Sequence, residues 1–157
     1  LLLDVIKQTP EIELHLAWRN GAYKDIIKLV RSFQLKNVFI NNEIAKDMNQ
    51  VYAKAHAVVI PYTQLDSHLK LIPNSALESL AAGKPVLVSN LTELADIIVS
   101  ENCGIKFEPN PKELLKAIKS LQKNYVSCQK NCRLVAEQYF SKEAFLENYR
   151  KIYDEFL

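Results

Sequence analysis

The chain has 157 residues, of which 48% are hydrophobic and 24% are charged. This length and composition are typical of one globular domain and exclude a disordered or fibrous protein. The formal net charge is +2, and the basic residues are scattered among acidic ones, so nothing indicates a nucleic-acid-binding protein. No apolar run approaches the roughly 20 residues of a membrane span, and no signal peptide is recognisable. We therefore expect a cytoplasmic protein, for which peripheral association with the inner face of a membrane stays open.

Helical patterns alternate with short apolar runs along the first two thirds of the chain. LLLDVIKQ predicts a helix that stops at Thr9 and Pro10, and IELHLA predicts a strand. YKDIIKLVRSF and EIAKDMNQVYAKA predict helices on either side of the strand NVFI, and AVVIP, PVLVS and GIKFE predict three further strands. This alternation predicts an α/β fold, a Rossmann-like doubly wound parallel sheet covered by helices on both faces.

The two ends of the chain differ from this alternation. From PKELLKAI onward the pattern predicts three C-terminal helices, and the last carries a stripe that must pack against another surface: Phe145, Tyr149, Ile152, Tyr153 and Phe156. At the other end, Leu1 falls inside the first predicted helix, although a doubly wound domain normally opens with a strand. We therefore expect residues 1–157 to form a single Rossmann-like domain truncated at its N-terminus, with a strand or a whole further domain missing upstream.

The three cysteines do not form a metal-binding pattern. Cys128 and Cys132 lie four residues apart, which places them on one face of a helix. No histidine is near them in sequence, and no CxxC pair occurs. We expect buried thiols and no metal or other cofactor.

The longest loop after a predicted strand is YTQLDSHLKLIPN, which leads directly into a helix. Ligands of open parallel sheets bind outside the carboxyl ends of the strands, and the free amides of a helix N-terminus attract anions. The amides near Asn74, Ser75 and Ala76 are therefore candidates for binding a phosphate. On a helical wheel Glu78 points away from the sheet, together with Ser75 and Ser79.

The segment SALE also fits a capping box, in which Ser75 caps the helix and Glu78 returns to the amide of the cap. These residues alone favour capping over a ligand role for Glu78. Gly83 is the expected helix stop.

Two further side chains in these loops are candidate ligand contacts. His68 lies beside Asp66 and Lys70 in the long loop, where a solvated histidine is the favoured alternative. Arg19 lies in WRNGAYKD, after the first strand, and can either reach a phosphate or remain a surface charge.

Several segments, taken in order, resemble the C-terminal domain of GT-B glycosyltransferases, specifically glycosyltransferase family 4. They are AVVIPYTQ, NSALESLAAGKPVLVSN, ENCGIKFEPNPKELLKAI and the final aromatic helix. The shared order is a strand ending at a proline, a loop, a helix opening near a glutamate, an AxGxPV turn, a GxxF strand and a terminal helical section. The resemblance covers about the whole chain and is densest over residues 57–112.

The resemblance implies one half of a GT-B glycosyltransferase, the domain that binds a nucleotide-sugar donor such as a UDP- or GDP-sugar. The implied reaction is retaining transfer of a hexose, without a metal, to a glycan or lipid-linked acceptor in polysaccharide biosynthesis. The acceptor would be held by an N-terminal domain absent from this chain, so the chain alone is expected to be inactive.

The resemblance also implies the roles of particular residues. The second of the two glutamates that face the donor in this family corresponds to Glu78, which would accept hydrogen bonds from ribose hydroxyls. The first corresponds to Lys70, which can pair with a phosphate or an acidic sugar. Asn42, Glu43 and Ile44 would lie beside the base, largely through backbone atoms.

Two alternatives remain open. Lys70 in place of a glutamate, and Pro73 near the position of a glycine in the family, fit a catalytically inactive GT-B-like binding or scaffold domain. A sugar-nucleotide epimerase shares the GT-B fold but is disfavoured by the pattern around Glu78 and Gly83.

Overall fold

The computed structural model describes residues 1–17, 23–64 and 72–155. Five strands lie within these residues: β1 (Leu14–Ala17), β2 (Val38–Asn41), β3 (Val58–Ile60), β4 (Val86–Ser89) and β5 (Gly104–Phe107). The helices of the same residues are α1 (Leu2–Ile6), α2 (Tyr23–Ser32), α3 (Met48–Ala53), α4 (Asn74–Ala81), α5 (Leu94–Ser100), α6 (Pro111–Phe140) and α7 (Lys142–Glu155).

All strand pairs among the described residues are parallel. β1 pairs with β2, with Leu14 opposite Val38, while β3, β4 and β5 form a second group in which β4 is central. Parallel neighbours require a crossover between them, and helices fill these crossovers. The predicted α/β fold with a parallel sheet is therefore confirmed.

The core lies on both faces of the group β3–β4–β5. On one face, Val86 and Val88 of β4 pack in a cluster with apolar residues of α4 and α5. On the other face, Leu87 of β4 packs with Val5 of α1 and Leu114 of α6. All four residues of β4 are buried, as expected for a strand covered on both faces. The middle of the chain is thus doubly wound.

The third helix is shorter than the sequence pattern predicts. Helix α3 begins at Met48, whereas the segment EIAKDMNQVYAKA predicts a start near residue 43. The side chain of Asp47 accepts a hydrogen bond from the Asn49 amide at 2.9 Å and caps the helix there. Because an aspartate favours a capped start over an interior position, residues 43–47 lie outside the helix.

The prediction of three C-terminal helices is wrong, because the structure has two. Helix α6 runs unbroken over 30 residues, since neither glycine nor proline occurs after Pro111 to end it. Asn110 caps its start by accepting from the Glu113 amide at 3.0 Å. The break before α7 falls at Ser141, whose hydroxyl accepts from the Ala144 amide at 3.1 Å. Despite the length of α6, the described helices include none apolar enough over a sufficient length to cross a bilayer.

The cysteines are buried and unpaired in disulfides, which confirms the expectation of buried thiols. The Cys132 thiol donates to the carbonyl oxygen of Cys128 at 3.1 Å. Burial raises the pKa of Cys103 and of Cys132 to about 12, so these thiols stay protonated at neutral pH. They act as core residues.

The stripe on α7 is largely uncovered. Phe145, Tyr149, Ile152 and Tyr153 are exposed, and Phe156 lies outside the described residues. The rings of Phe145 and Tyr149 contact each other, with centroids 4.5 Å apart. The described part of this stripe is therefore available to pack against another surface, as the sequence pattern requires.

Two glycines hold positions at which other residues are disfavoured. Gly83 has φ +69° and ends α4, as predicted, with its amide bonded to the Leu80 carbonyl and the next amide, of Lys84, bonded to the Ser79 carbonyl. Gly104 opens β5, where a Cβ atom would overlap the carbonyl oxygen of Val86. Glycine is favoured at position 83 because the backbone there is left-handed, and at position 104 because a Cβ atom has no room beside β4.

We expect Gly104→Ala to lower the free energy of unfolding by at least about 2 kcal/mol, because the backbone of β4 must move. The matched variant Gly83→Ala should cost about 1 kcal/mol, since its Cβ meets no atom within 4 Å and only the left-handed backbone is disfavoured. Urea denaturation of both variants measures the difference. Equal costs would show that β4 and β5 are not in the close contact described.

Candidate functional site

Helix α4 follows β3 in the chain and begins two positions earlier than a capping box at Ser75 requires. Its N-cap is Pro73, and no side chain caps it. The amide of Ala76 donates to the Pro73 carbonyl at 2.9 Å. Ser75 is therefore the second helical residue rather than the cap, and the predicted Ser75–Glu78 capping box is wrong. Proline has neither a backbone N–H nor a side-chain oxygen, so the sequence does not mark Pro73 as a cap. The capping-box pattern therefore places the cap at Ser75, two residues too late.

This start leaves polar groups at the N-terminus of α4. Within the described residues, the amides of Asn74 and Ser75 have no hydrogen-bond partner, and both residues are exposed. The Ala76 amide differs, because it is bonded to Pro73 and the residue is fully buried. Two exposed amides at the positive end of a helix dipole can bind an anion such as a phosphate.

Glu78 lies on the exposed side of α4, one turn after these amides. Its Oε2 atom accepts a hydrogen bond from the Tyr52 hydroxyl at 2.8 Å. Ser79, which the helical wheel places on the same side, is instead buried, and its hydroxyl donates to the Lys84 carbonyl at 2.9 Å. That bond belongs to the turn at the end of α4. Glu78 is thus the carboxylate that α4 presents outward.

Sequence reasoning missed Tyr52. It lies on α3 with only 6% of its surface exposed, and its hydroxyl reaches across to α4. A tyrosine on the buried face of a helix needs a hydrogen-bond partner for its hydroxyl. This need is the feature of the sequence that could have identified Tyr52. Which partner it finds depends on the packing of α3 against α4.

The loop after β2 contains the other predicted site residues, Asn42, Glu43 and Ile44. The side chain of Asn41 accepts from the Glu43 amide at 2.9 Å and turns the chain away from the strand. All three predicted residues are exposed, and Ile44 is 80% exposed. An apolar side chain this exposed beside a turn is available for contact with a flat, apolar ligand surface.

Three predicted site residues, Arg19, His68 and Lys70, lie outside the described residues. Their roles remain predictions from the sequence. Among the residues that the structure does describe, no group of three or more histidine, cysteine or acidic side chains could hold a metal ion.

The family model of the group 1 glycosyl transferases matches residues 2–124. No curated protein matches the chain. This match covers most of the 157 residues, so the chain belongs to the group 1 glycosyl transferases.

Two solved structures share the fold. A sucrose-phosphate synthase from Thermosynechococcus elongatus is similar over 99% of this chain and 41% of its own, with 22% identity and a TM-score of 0.80. A glycosyltransferase from Rickettsia africae is similar over 98% of this chain and 43% of its own, with 15% identity and a TM-score of 0.77. The chain therefore spans about two fifths of the length of each. The fold expected from the resemblance, one half of a GT-B glycosyltransferase, is confirmed.

Because Ser75 does not cap α4, Ser75→Ala should change the free energy of unfolding by less than about 0.5 kcal/mol. The matched change Asn110→Ala removes a true cap, that of α6, and should cost about 1 kcal/mol. Urea denaturation of the two variants provides the comparison. A cost for Ser75→Ala equal to that for Asn110→Ala would restore the capping box.

Proposed function

We propose that this chain is the donor-binding domain of a retaining glycosyltransferase that takes a hexose from a UDP- or GDP-sugar. The observation that carries the proposal is the outward carboxylate of Glu78 beside the exposed amides of Asn74 and Ser75 at the start of α4, in a chain of the group 1 family. A nucleotide sugar has two kinds of group that fit this pair. Its diphosphate suits the amides, and its ribose hydroxyls suit the carboxylate.

The proposed binding mode assigns each part of the donor to one element. The diphosphate lies at the N-terminus of α4, where the helix dipole favours negative charge. The ribose lies against Glu78, whose carboxylate can accept from two adjacent hydroxyls. The base lies beside residues 42–44, and exposed Ile44 can contact its face. Arg19, His68 and Lys70 are proposed to complete the phosphate and sugar contacts.

During transfer the bond between the sugar and the diphosphate breaks, and the oxygen of the acceptor hydroxyl bonds to the same face of the sugar. The proton of that hydroxyl passes to the leaving diphosphate. Negative charge grows on the leaving diphosphate. The amides of Asn74 and Ser75 are fixed dipoles that need no reorganisation to stabilise this charge. Lys70 would add a cation from the long loop.

The proposal includes further protein upstream of this chain. Within the described residues, β1 pairs only with β2 and β3 pairs only with β4, so each leaves an edge unpaired. In a doubly wound sheet of order 3-2-1-4-5-6, the present strands β1 to β5 correspond to the second to sixth. Both unpaired edges then border the position of the first strand. We propose that an upstream strand fills this position and that an acceptor-binding domain precedes it.

The same proposal covers the acceptor and the location of the protein. A glycan or lipid-linked acceptor in polysaccharide biosynthesis fits a site between two domains, and no metal is required for the amides to bind the diphosphate. A cytoplasmic protein, peripherally associated with the inner face of a membrane where the acceptor is a lipid, is the proposed setting.

A second candidate function is an inactive GT-B-like binding or scaffold domain. Lys70 in place of the expected glutamate favours it. Pro73 favours it as well, because the structure places this bulky residue at the N-cap of α4, where a glycine would let a ligand approach the backbone more closely.

The donor site is tested by NMR titration of this chain with UDP and with GDP. We expect shifts of the Asn74 and Ser75 amides, and Glu78→Gln should weaken binding about tenfold because a charged acceptor is lost. The control Glu137→Gln changes an exposed glutamate of α6 and should leave binding unchanged. Absence of shifts near α4 with both nucleotides would overturn the donor site.

Turnover by the full-length protein separates the two candidate functions. An active transferase should lose activity with Glu78→Ala. A scaffold should show no activity with the original sequence and none with Lys70→Glu.

The exposed stripe of α7 tests the proposed upstream domain. Tyr153→Ser should change the unfolding free energy of this chain by less than about 0.5 kcal/mol, because the side chain is 64% exposed. In the full-length protein the same change should cost about 1–2 kcal/mol if the stripe is covered. Val126, 62% exposed on α6, supplies the control Val126→Ser, with a small effect in both proteins. Equal small effects of Tyr153→Ser in both proteins would show that the stripe stays uncovered.

A further inference from the structure

We propose that Tyr52 is a positioning residue of the donor site, which holds the carboxylate of Glu78 for the ribose. This inference rests on the proposed function, because it assigns Tyr52 a role through the residue that contacts the donor. It concerns the 2.8 Å hydrogen bond between the Tyr52 hydroxyl and Glu78 Oε2.

Among the hydrogen bonds that the described residues show, the one to Glu78 is the shortest that the Tyr52 hydroxyl makes. The hydroxyl also lies 3.4 Å from the Ser75 carbonyl oxygen, which is near the limit for a hydrogen bond. A hydroxyl has one proton, and a bond to a carboxylate is shorter and stronger than one to a neutral carbonyl. The bond therefore restrains the carboxylate of an otherwise exposed side chain.

The restraint matters because an exposed glutamate has several rotamers of similar energy. Fixing a long side chain on binding costs conformational entropy. The Tyr52 ring is buried and held by the core, so its hydroxyl is a fixed donor. Because Oε2 is already bound to Tyr52, part of this conformational entropy is lost before the ligand binds. The other carboxylate oxygen, Oε1, has no hydrogen-bond partner among the described residues. A ribose hydroxyl can then donate to a carboxylate already in place.

The same bond connects two sides of the proposed site. Tyr52 belongs to α3, which starts at its Asp47 cap shortly after the loop of residues 42–44. Glu78 belongs to α4, whose N-terminus carries the exposed amides. A movement of the base-side loop transmitted through α3 would therefore move the ribose-side carboxylate.

The experiment is a double-mutant cycle on the binding of UDP or GDP, using whichever nucleotide binds this chain more tightly. The variants are Tyr52→Phe, which keeps the buried ring and removes the hydroxyl, Glu78→Gln, and the double variant. We expect Tyr52→Phe to weaken binding about fivefold in the original chain and less than about 1.5-fold in the Glu78→Gln background. Isothermal titration calorimetry measures all four affinities.

A second tyrosine provides a matched control. The Tyr139 hydroxyl donates to Glu101 Oε1 at 2.7 Å, so Tyr139→Phe removes a bond of the same kind. Glu101 is the C-cap of α5 and precedes β5, so it lies at the amino end of that strand, whereas the N-terminus of α4 follows the carboxyl end of β3. Tyr139→Phe should leave nucleotide affinity within about 1.5-fold of the original, because its glutamate does not face the donor.

Inorganic pyrophosphate separates positioning from a general effect on folding. Pyrophosphate lacks the ribose, so Tyr52→Phe should not change its affinity by more than about 1.5-fold. Equal weakening of pyrophosphate and nucleotide would mean that the hydroxyl supports the helix N-terminus as a whole, which overturns the inference. Equal effects of Tyr52→Phe with and without Glu78→Gln would also overturn it while leaving the donor site intact. If the original chain binds neither nucleotide, the proposed function itself fails, and the role of Tyr52 fails with it.

Discussion

The burial of β4 on both faces is the constraint on which the rest of the structure depends. A strand with apolar side chains on both sides must be covered twice. Here α4, α5 and the C-terminal part of α6 cover one face, while α1 and the N-terminal part of α6 cover the other. Helices that cover the faces leave the strand ends open. The N-terminus of α4 therefore remains at the surface, held there by Ala76 and Leu80 of the same helix, which are buried in the core.

Helix α4 shows how one element can serve the core and the site together. Its buried face closes the cluster over β4, and Ser79 is used for the turn that ends the helix. Its exposed face carries Glu78, and its start carries the amides of Asn74 and Ser75. Because the packed face fixes the helix backbone, the two amides at its start are fixed with it. Tyr52 of α3 acts in the same way, because its ring is buried while its hydroxyl donates to the exposed carboxylate of Glu78.

Most of the fold could be predicted from the sequence, and the errors have local causes. Short apolar runs predicted all five strands of the described residues, because a buried parallel strand has a distinctive composition. Helix boundaries were less certain. The segment SALE fits a capping box in which Ser75 is the N-cap. In the structure the N-cap is Pro73, so Ser75 lies within the first turn of α4. Similarly, three helices were predicted over the region that α6 and α7 occupy, but α6 continues unbroken to Phe140, since neither glycine nor proline occurs within it after Pro111.

The sequence by itself determined the fold class, the family resemblance and the outward position of Glu78, because these depend on periodicity and on the order of segments along the chain. Only the tertiary structure decided that Glu78 is bound by Tyr52 instead of capping its own helix, and that Ser79 is buried. The partner of a side chain depends on which helix lies beside it, and 26 residues separate Tyr52 from Glu78. Contacts over that distance in sequence arise from packing and leave no periodic signal.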